Sequence, residues 1–100
     1  MIVIETKKIT ELSRGRFDAL SFWPLIFIHP YYVGKPLETH ERIHGEQAKE
    51  LLVVGWWIAY LFFLAIRGYK KNPFEMEAYE NQGRITYLDN RKRYAWRQKV

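Results

Sequence analysis

An uncharged and almost wholly apolar stretch, residues 51–66, places the tightest limit on how the chain can fold. It reads Leu-Leu-Val-Val-Gly-Trp-Trp-Ile-Ala-Tyr-Leu-Phe-Phe-Leu-Ala-Ile, with charged residues on both sides. A membrane span needs about 20 apolar residues, so this stretch falls just short. Trp56 and Trp57 stand in its middle rather than at its ends, where interfacial aromatic residues belong. We therefore predict a buried core helix and keep membrane insertion or docking as the alternative.

The residues before this stretch begin a helix. Pro36 suits the first helical position, and Glu38 suits the first turn. The helical pattern continues from there into the apolar stretch, and Gly68 ends it. The sequence thus predicts one long helix over residues 36–66.

One turn of this helix carries His40-Glu41-Arg42-Ile43-His44, an H-E-x-x-H motif. Residues four apart lie on one helical face, about 5–6 Å apart between Cβ atoms, so two imidazoles can converge on one cation. Glu41 can then reach a water on that cation and accept its proton during attack on a carbonyl. The motif predicts Zn²⁺ as cofactor, with His40 and His44 as ligands and Glu41 as general base. The alternative is a solvated His/Glu face without a metal.

A second helix is predicted to begin at Asn72, as N-cap, with Pro73 at its first position. A hydrolytic zinc ion needs a third protein ligand and one open position. His29, Glu75 and Glu77 are all plausible donors, and spacing alone does not choose among them. Glu75 also stands at the third helical position, where a Glu can fold back onto the N-cap in a capping box.

The two motifs together resemble the gluzincin class of zinc metallopeptidases. In that class one helix supplies two His and the general base, and a following glutamate helix supplies the third ligand. The resemblance covers residues 36–82 and rests on the H-E-x-x-H motif and on Asn-Pro-Phe-Glu-Met-Glu-Ala-Tyr at 72–79. It implies hydrolysis of a peptide or protein substrate, with Glu75 as the third ligand and Glu77 as the fallback. The small size is similar to that of the minigluzincins.

The chain departs from the family pattern beside the metal. The Asp or Asn that the family places four residues after the ligand Glu is Tyr79 here, and a phenol cannot hold an imidazole as a carboxylate does. Asn81 stands four residues after Glu77, which favours the fallback. The candidate oxyanion donors are Tyr60, Tyr69, Tyr79 and Tyr87. A latent or non-catalytic zinc-binding scaffold is therefore the first alternative function.

Residues 1–34 are predicted to be rich in β-structure, which gives an α+β fold with a small N-terminal sheet. Residues 1–4 are a β-branched run that Ile9-Thr10 can continue, and Pro24 begins a strand at Leu25-Ile26-Phe27-Ile28. The resemblance implies that an edge strand beside the cleft pairs with extended substrate, and residues 25–28 are the candidate. A plain core strand is the alternative.

Composition limits the number of domains and the kinds of site that the chain can form. A chain of 100 residues allows one small domain, and the absence of cysteine excludes disulfides and thiol catalysis. Residues 1–5 lack the basic and apolar regions of a signal peptide, so we predict a cytoplasmic location with membrane association as an alternative.

The net charge of +5 lies in residues 84–100, which hold six basic residues against Asp89. Because the rest of the chain is neutral overall, binding of nucleic acid is not the favoured interpretation. We expect this tail to pack as a cover through Tyr87, Tyr94 and Trp96. A metal-free basic protein associated with membrane or nucleic acid is the last alternative.

Overall fold

The N-terminal part of the chain forms a small mixed sheet. In the computed structural model, which describes residues 2–12, 18–84 and 86–100, the strands are β1 (Ile2–Glu5), β2 (Ala19–Phe22) and β3 (Leu25–Ile28). Their order is β1-β3-β2, with β1 parallel and β2 antiparallel to β3. A turn with a cis Trp23–Pro24 bond joins β2 to β3. The predicted α+β class with a small N-terminal sheet is confirmed.

Two details of the predicted sheet are wrong. Residues Ile9 and Thr10 do not continue β1, because they belong to the short helix α1 (Lys8–Leu12). Residues 25–28 do form a strand, but β3 is the central strand and is hydrogen-bonded on both sides. It therefore cannot be the edge strand that pairs with a substrate, and β2 takes the edge position next to it.

Four further α-helices follow the sheet, namely α2 (Pro36–Glu50), α3 (Val54–Arg67), α4 (Pro73–Asn81) and α5 (Tyr87–Asn90), with short 3-10 helices at Pro30–Tyr32 and Ala95–Lys99. Pro occupies the start of both α2 and α4, as predicted, because its missing N–H is not needed there. The Asn72 side chain accepts a hydrogen bond from the backbone N–H of Phe74 at 3.0 Å, which makes it the N-cap of α4.

The prediction of one continuous helix over 36–66 is wrong. The chain breaks at residues 51–53, where Leu52 and Val53 adopt φ angles of 59° and 63°. This left-handed region is uncommon for any residue other than glycine, and least favourable for a β-branched one. The break bends α3 away from α2 by 113°. As a result α3 folds back, and the rings of Trp56 and Tyr60 face His44.

Two clusters of buried apolar side chains hold these elements around α2. The first joins the sheet to the start of α2, and the second joins the end of α2 to α3 and α4. Their fully packed members are Ala19, Ile26 and Ile28 in the first cluster and Ala48, Trp56 and Phe74 in the second. The site described below lies on α2 between them.

The prediction that residues 51–66 form a buried core helix is also wrong. Trp56 is the buried residue of α3, whereas Val54, Ile58 and Phe62 are 68%, 67% and 57% exposed. Among the described residues no individual helix combines the length and apolarity of a membrane span. Helices α2 and α3 meet that criterion only as a bent pair, on length and composition.

The basic tail packs against α4 and the end of α2. The Arg91 guanidinium is 5% exposed and donates to Glu50 Oε1 at 2.9 Å and to Glu77 Oε1 at 3.0 Å. The Trp96 ring lies 4.8 Å from that of Phe74, and the Tyr87 hydroxyl donates to Glu77 Oε2 at 2.8 Å. The tail is therefore packed through Tyr87 and Trp96, as expected, whereas Tyr94 is 38% exposed.

Candidate metal site

Three side chains from two helices converge on one point. The Nε2 atoms of His40 and His44, on α2, are 3.1 Å apart. Oε1 of Glu75, on α4, lies 3.0 Å from the first and 2.9 Å from the second. All three residues are 4–6% exposed. Within the described part of the chain, this is the group of His and carboxylate side chains that can hold a metal ion.

Gln47 fixes the orientation of His44. Its Oε1 accepts from the indole N–H of Trp56 at 3.3 Å and lies 2.9 Å from His44 Nδ1. Its Nε2 donates to the Phe74 carbonyl and to Glu77 Oε1, both at 3.0 Å. Because an indole N–H can only donate, the amide oxygen must face Trp56 and His44. Nδ1 of His44 therefore carries a proton, and the lone pair of a neutral His44 lies on Nε2.

Gln82 does the same for His40. Its Oε1 lies 2.8 Å from His40 Nδ1, and with the amide in this orientation Nδ1 is the donor. Both imidazoles are thus held with Nε2 toward Glu75. An outer hydrogen bond of this kind is the usual support of a metal-binding imidazole, because it sets the tautomer and the ring orientation.

The carboxylates of Glu75 and Glu41 favour a positive charge at the centre of the cluster. Burial alone would lower the pKa of His44, but the hydrogen bond and charge of Glu75, with the charge of Glu41, raise it to about 9. Burial would raise the pKa of Glu75, and the hydrogen bonds from His40 and His44 instead bring it well below its ordinary value. Either a proton or a metal cation can supply that charge.

The second oxygen of Glu75 is held by α3. The Tyr60 hydroxyl donates to Glu75 Oε2 at 2.6 Å, so the carboxylate has partners on both oxygens. The capping-box interpretation of Glu75 is wrong, because the backbone N–H of Asn72 donates to the Tyr69 carbonyl. The bend between α2 and α3 is what brings Tyr60 to this position.

The fallback ligand Glu77 lies outside the cluster. It is 1% exposed, and its carboxylate accepts from Gln47, Tyr87 and Arg91. It therefore supports the side of Gln47 that faces away from the metal site. Asn81, which favoured this fallback in the sequence, donates from Nδ2 to the Glu77 backbone carbonyl at 2.8 Å. The sequence-predicted donor His29 is also elsewhere, since its Nδ1 accepts from the backbone N–H of Tyr31.

Tyr79 contacts His40 through its ring rather than through its hydroxyl. The two ring centroids are 4.4 Å apart in an edge-to-face arrangement, and the Tyr79 hydroxyl pairs with that of Tyr69 at 2.7 Å. The hydrogen bond that the family pattern places four residues after the ligand Glu comes here from Gln82, seven residues after it. Neither glutamine was predicted to belong to the site, although Gln47 stands one helical turn after His44.

The cluster lies at the bottom of an open cleft of ≈ 190 Å³. Glu41 lines this cleft beside the ligands and is partly buried. Its other walls come from β2 and α3, with Tyr69 from the loop that follows. The side chains around the three ligands are Ala19, Leu20, Glu41, Trp56, Trp57, Tyr60 and Tyr69. Neither β3 nor any described tail residue belongs to the lining.

Comparison with known proteins finds no matching family model, no matching curated protein and no matching solved structure. The similarity to gluzincins therefore rests on the site itself, namely the H-E-x-x-H spacing and a glutamate on the following helix that meets both His. What the structure shows is a His40–His44–Glu75 group able to bind a metal.

Proposed function

We propose that this protein is a zinc-dependent peptide hydrolase, with His40, His44 and Glu75 as the ligands and Glu41 as the general base. The observation that carries the proposal is the convergence of three ligand atoms 2.9–3.1 Å apart. In a tetrahedral zinc site with bonds of about 2.0–2.1 Å, ligand atoms are roughly 3.3 Å apart, so a slight expansion accommodates the ion. Two His and one carboxylate leave the fourth position open.

Zn²⁺ is the ion we propose, because two His and one Glu are a donor set of catalytic zinc sites. Imidazole nitrogens with one carboxylate suit zinc, whereas Mg²⁺ and Ca²⁺ prefer oxygen ligands throughout. When bound, the ion supplies Lewis-acid chemistry, polarising a carbonyl and lowering the pKa of water. The three ligands hold it, and Gln47 and Gln82 keep the imidazoles in the binding tautomer.

Glu41 performs the proton transfer. It borders the cleft next to both His, and its charge raises the pKa of His44, which indicates its closeness to the ligands. In the proposed reaction its carboxylate accepts a proton from the attacking water and delivers it to the leaving amine. Hydrolysis then needs no covalent intermediate with the protein.

Tyr69 is the best placed of the four tyrosines to stabilise a developing oxyanion. Tyr87 faces Glu77, and the single hydroxyl proton of Tyr60 is donated to Glu75. Tyr69 lines the cleft and shares a hydrogen bond with Tyr79, so it is free to donate when Tyr79 donates to it. Burial raises the pKa of Tyr69, and the hydrogen bond with Tyr79 adds to the shift, so the phenol keeps its proton at neutral pH.

β2 is the strand we propose to pair with an extended substrate. It is an edge of the sheet, and its residues Ala19 and Leu20 line the cleft. The cleft volume is below the roughly 300–1,000 Å³ of pockets that enclose small ligands. An open cleft beside an edge strand suits a chain that passes through it, held by main-chain hydrogen bonds.

The test is Glu41→Gln, assayed on an unfolded protein substrate together with zinc content. The amide keeps the shape but cannot accept the proton, so turnover should be lost while zinc remains bound. Glu46→Gln is the matched control, because Glu46 is a partly exposed carboxylate on the same helix and outside the cleft lining. Normal turnover by Glu41→Gln would remove Glu41 from the mechanism.

A zinc-binding scaffold with little or no catalysis is the second candidate. The observation that favours it is the pair of neutral amides, Gln47 and Gln82, behind the two imidazoles. A carboxylate there would raise the basicity of the ligands, which amides do less strongly. Bound zinc without turnover in the unmodified protein would select this candidate.

A further inference from the structure

Helix α3 presents an apolar face that the described parts of the chain leave uncovered. Its opposite face packs inward through Trp56, Tyr60 and Phe63. The uncovered side chains, here called the α3 face, are each 57–85% exposed and comprise Leu52, Val54, Ile58, Leu61, Phe62 and Ile66. From residue 54 onward they recur at the spacing of one helical face, so they form a continuous stripe. A contiguous exposed apolar stripe along a helix usually marks an interaction surface.

The charges at the C-terminal end of the α3 face are all positive. Residues 51–74 contain Arg67, Lys70 and Lys71 but no Asp or Glu. Lys70 and Lys71 are exposed and follow directly after the end of α3, as does the 46% exposed Tyr69. An apolar stripe with lysines and a tyrosine at its end is the pattern of a helix that lies on an anionic membrane surface.

Helix α3 is suited to lie on a bilayer rather than to cross it. Its 14 residues span roughly 21 Å, less than the hydrocarbon core of about 30 Å. Its inner face donates a hydrogen bond to Glu75 through Tyr60, so this face must remain packed against the rest of the protein. Only the outer stripe is therefore available to lipid, which corresponds to shallow insertion of one helical face.

We propose that the α3 face docks on the surface of a bilayer containing anionic lipids, with Lys70 and Lys71 at the headgroups. A parallel pairing with a second copy of the chain is disfavoured on the same face, because it would bring two sets of these cations together. The docking does not depend on the proposed hydrolysis. It would place the cleft, which Trp57 and Tyr69 line, within about one helix diameter of the membrane.

Co-sedimentation of the full chain with phosphatidylcholine vesicles, with and without phosphatidylserine, tests the proposal. We expect binding to the phosphatidylserine vesicles that weakens with salt, and at least tenfold weaker binding by Ile58→Glu. Val100→Glu is the matched control, since Val100 is 65% exposed and Ile58 is 67% exposed. Lys70→Glu combined with Lys71→Glu should abolish the preference for phosphatidylserine. An unchanged far-UV circular dichroism spectrum of Ile58→Glu would show that the variant folds.

Three results would overturn the docking. The first is a wild-type protein that binds neither kind of vesicle. The second is an Ile58→Glu variant that binds as tightly as the wild type. The third is wild-type binding that is equally strong with and without phosphatidylserine. Sedimentation velocity separates the competing occupant, because a dimer that Ile58→Glu converts to a monomer, without vesicle binding, would assign the α3 face to a second copy. A loss of hydrolysis in any of these variants would bear on the proposed function and not on vesicle binding.

Discussion

Replacing Gln47 by Met removes the amide that orients His44 while keeping the length of the side chain. Gln47 is 0% exposed and makes four hydrogen bonds, so the substitution reaches the site, α3 and α4 at once. Met is unbranched and flexible enough to fill the same space, which keeps a packing defect small. The change therefore isolates the polar role of Gln47.

Only two of the four groups that are hydrogen-bonded to Gln47 lose a partner that nothing else replaces. Glu77 keeps its bonds to Arg91 and Tyr87, and the Phe74 carbonyl lies in the first turn of α4, where carbonyls have partners within the helix. The Trp56 N–H and His44 Nδ1 lose their oxygen acceptor. Each buried group left without a partner costs about 1–3 kcal/mol, which gives a destabilisation of roughly 2–6 kcal/mol. Loss of an outer partner of a ligand also weakens metal binding by about 10–100-fold.

Urea unfolding in the presence of a chelator measures the first effect, and zinc competition with a chromophoric chelator measures the second. Gln98→Met is the control, because Gln98 is exposed in the tail. It should leave both values unchanged. If Gln47→Met bound zinc as tightly as the wild type, the orientation of His44 by Gln47 would not matter for the site. If its stability were also unchanged, the hydrogen-bond network itself would be refuted.

Two further predictions concern pH and the tail. Because the pKa of His44 is about 9, His44 is protonated at pH 7 when no metal is bound, and zinc must displace that proton. Zinc affinity should thus rise about tenfold per pH unit and level off above the pKa, as chelator competition at several pH values would show; a flat profile would contradict this. Arg91→Met should destabilise the fold by about 3–5 kcal/mol in urea unfolding, because it leaves two buried carboxylates without a counter-ion. Lys92→Met, at an exposed neighbour, should change stability by less than about 0.5 kcal/mol, and equal effects would contradict the buried role of Arg91.

The local parts of the site could be predicted because they depend on helix geometry alone. Two His four residues apart share a face in any helix, and Asn72-Pro73 fixes where α4 begins. The choice between Glu75 and Glu77 needed the tertiary structure. At 100° per residue they point to nearly opposite sides of α4, and only the packing shows that Glu75 faces α2.

The parts that could not be predicted depend on contacts between distant segments. Nothing in residues 51–53 marks the end of a helix, and the bend there is compensated by the packing of Trp56 and Tyr60 against the site. Gln82 meets His40 only because α4 packs against α2. The order of three short strands is likewise a property of the assembled sheet, so β2 rather than β3 forms the edge.

Metal content is the measurement that bears most directly on the proposed site. The protein would be purified without chelating resin or added metal and analysed by mass spectrometry beside Glu75→Ala and Glu80→Ala. Glu80 is an exposed carboxylate on the same helix and serves as the control. We predict about one zinc per chain in the wild type and in Glu80→Ala, and little or none in Glu75→Ala. A wild-type protein that carries no zinc and takes up none on addition, or a Glu75→Ala variant that keeps its metal, would contradict the His40–His44–Glu75 site.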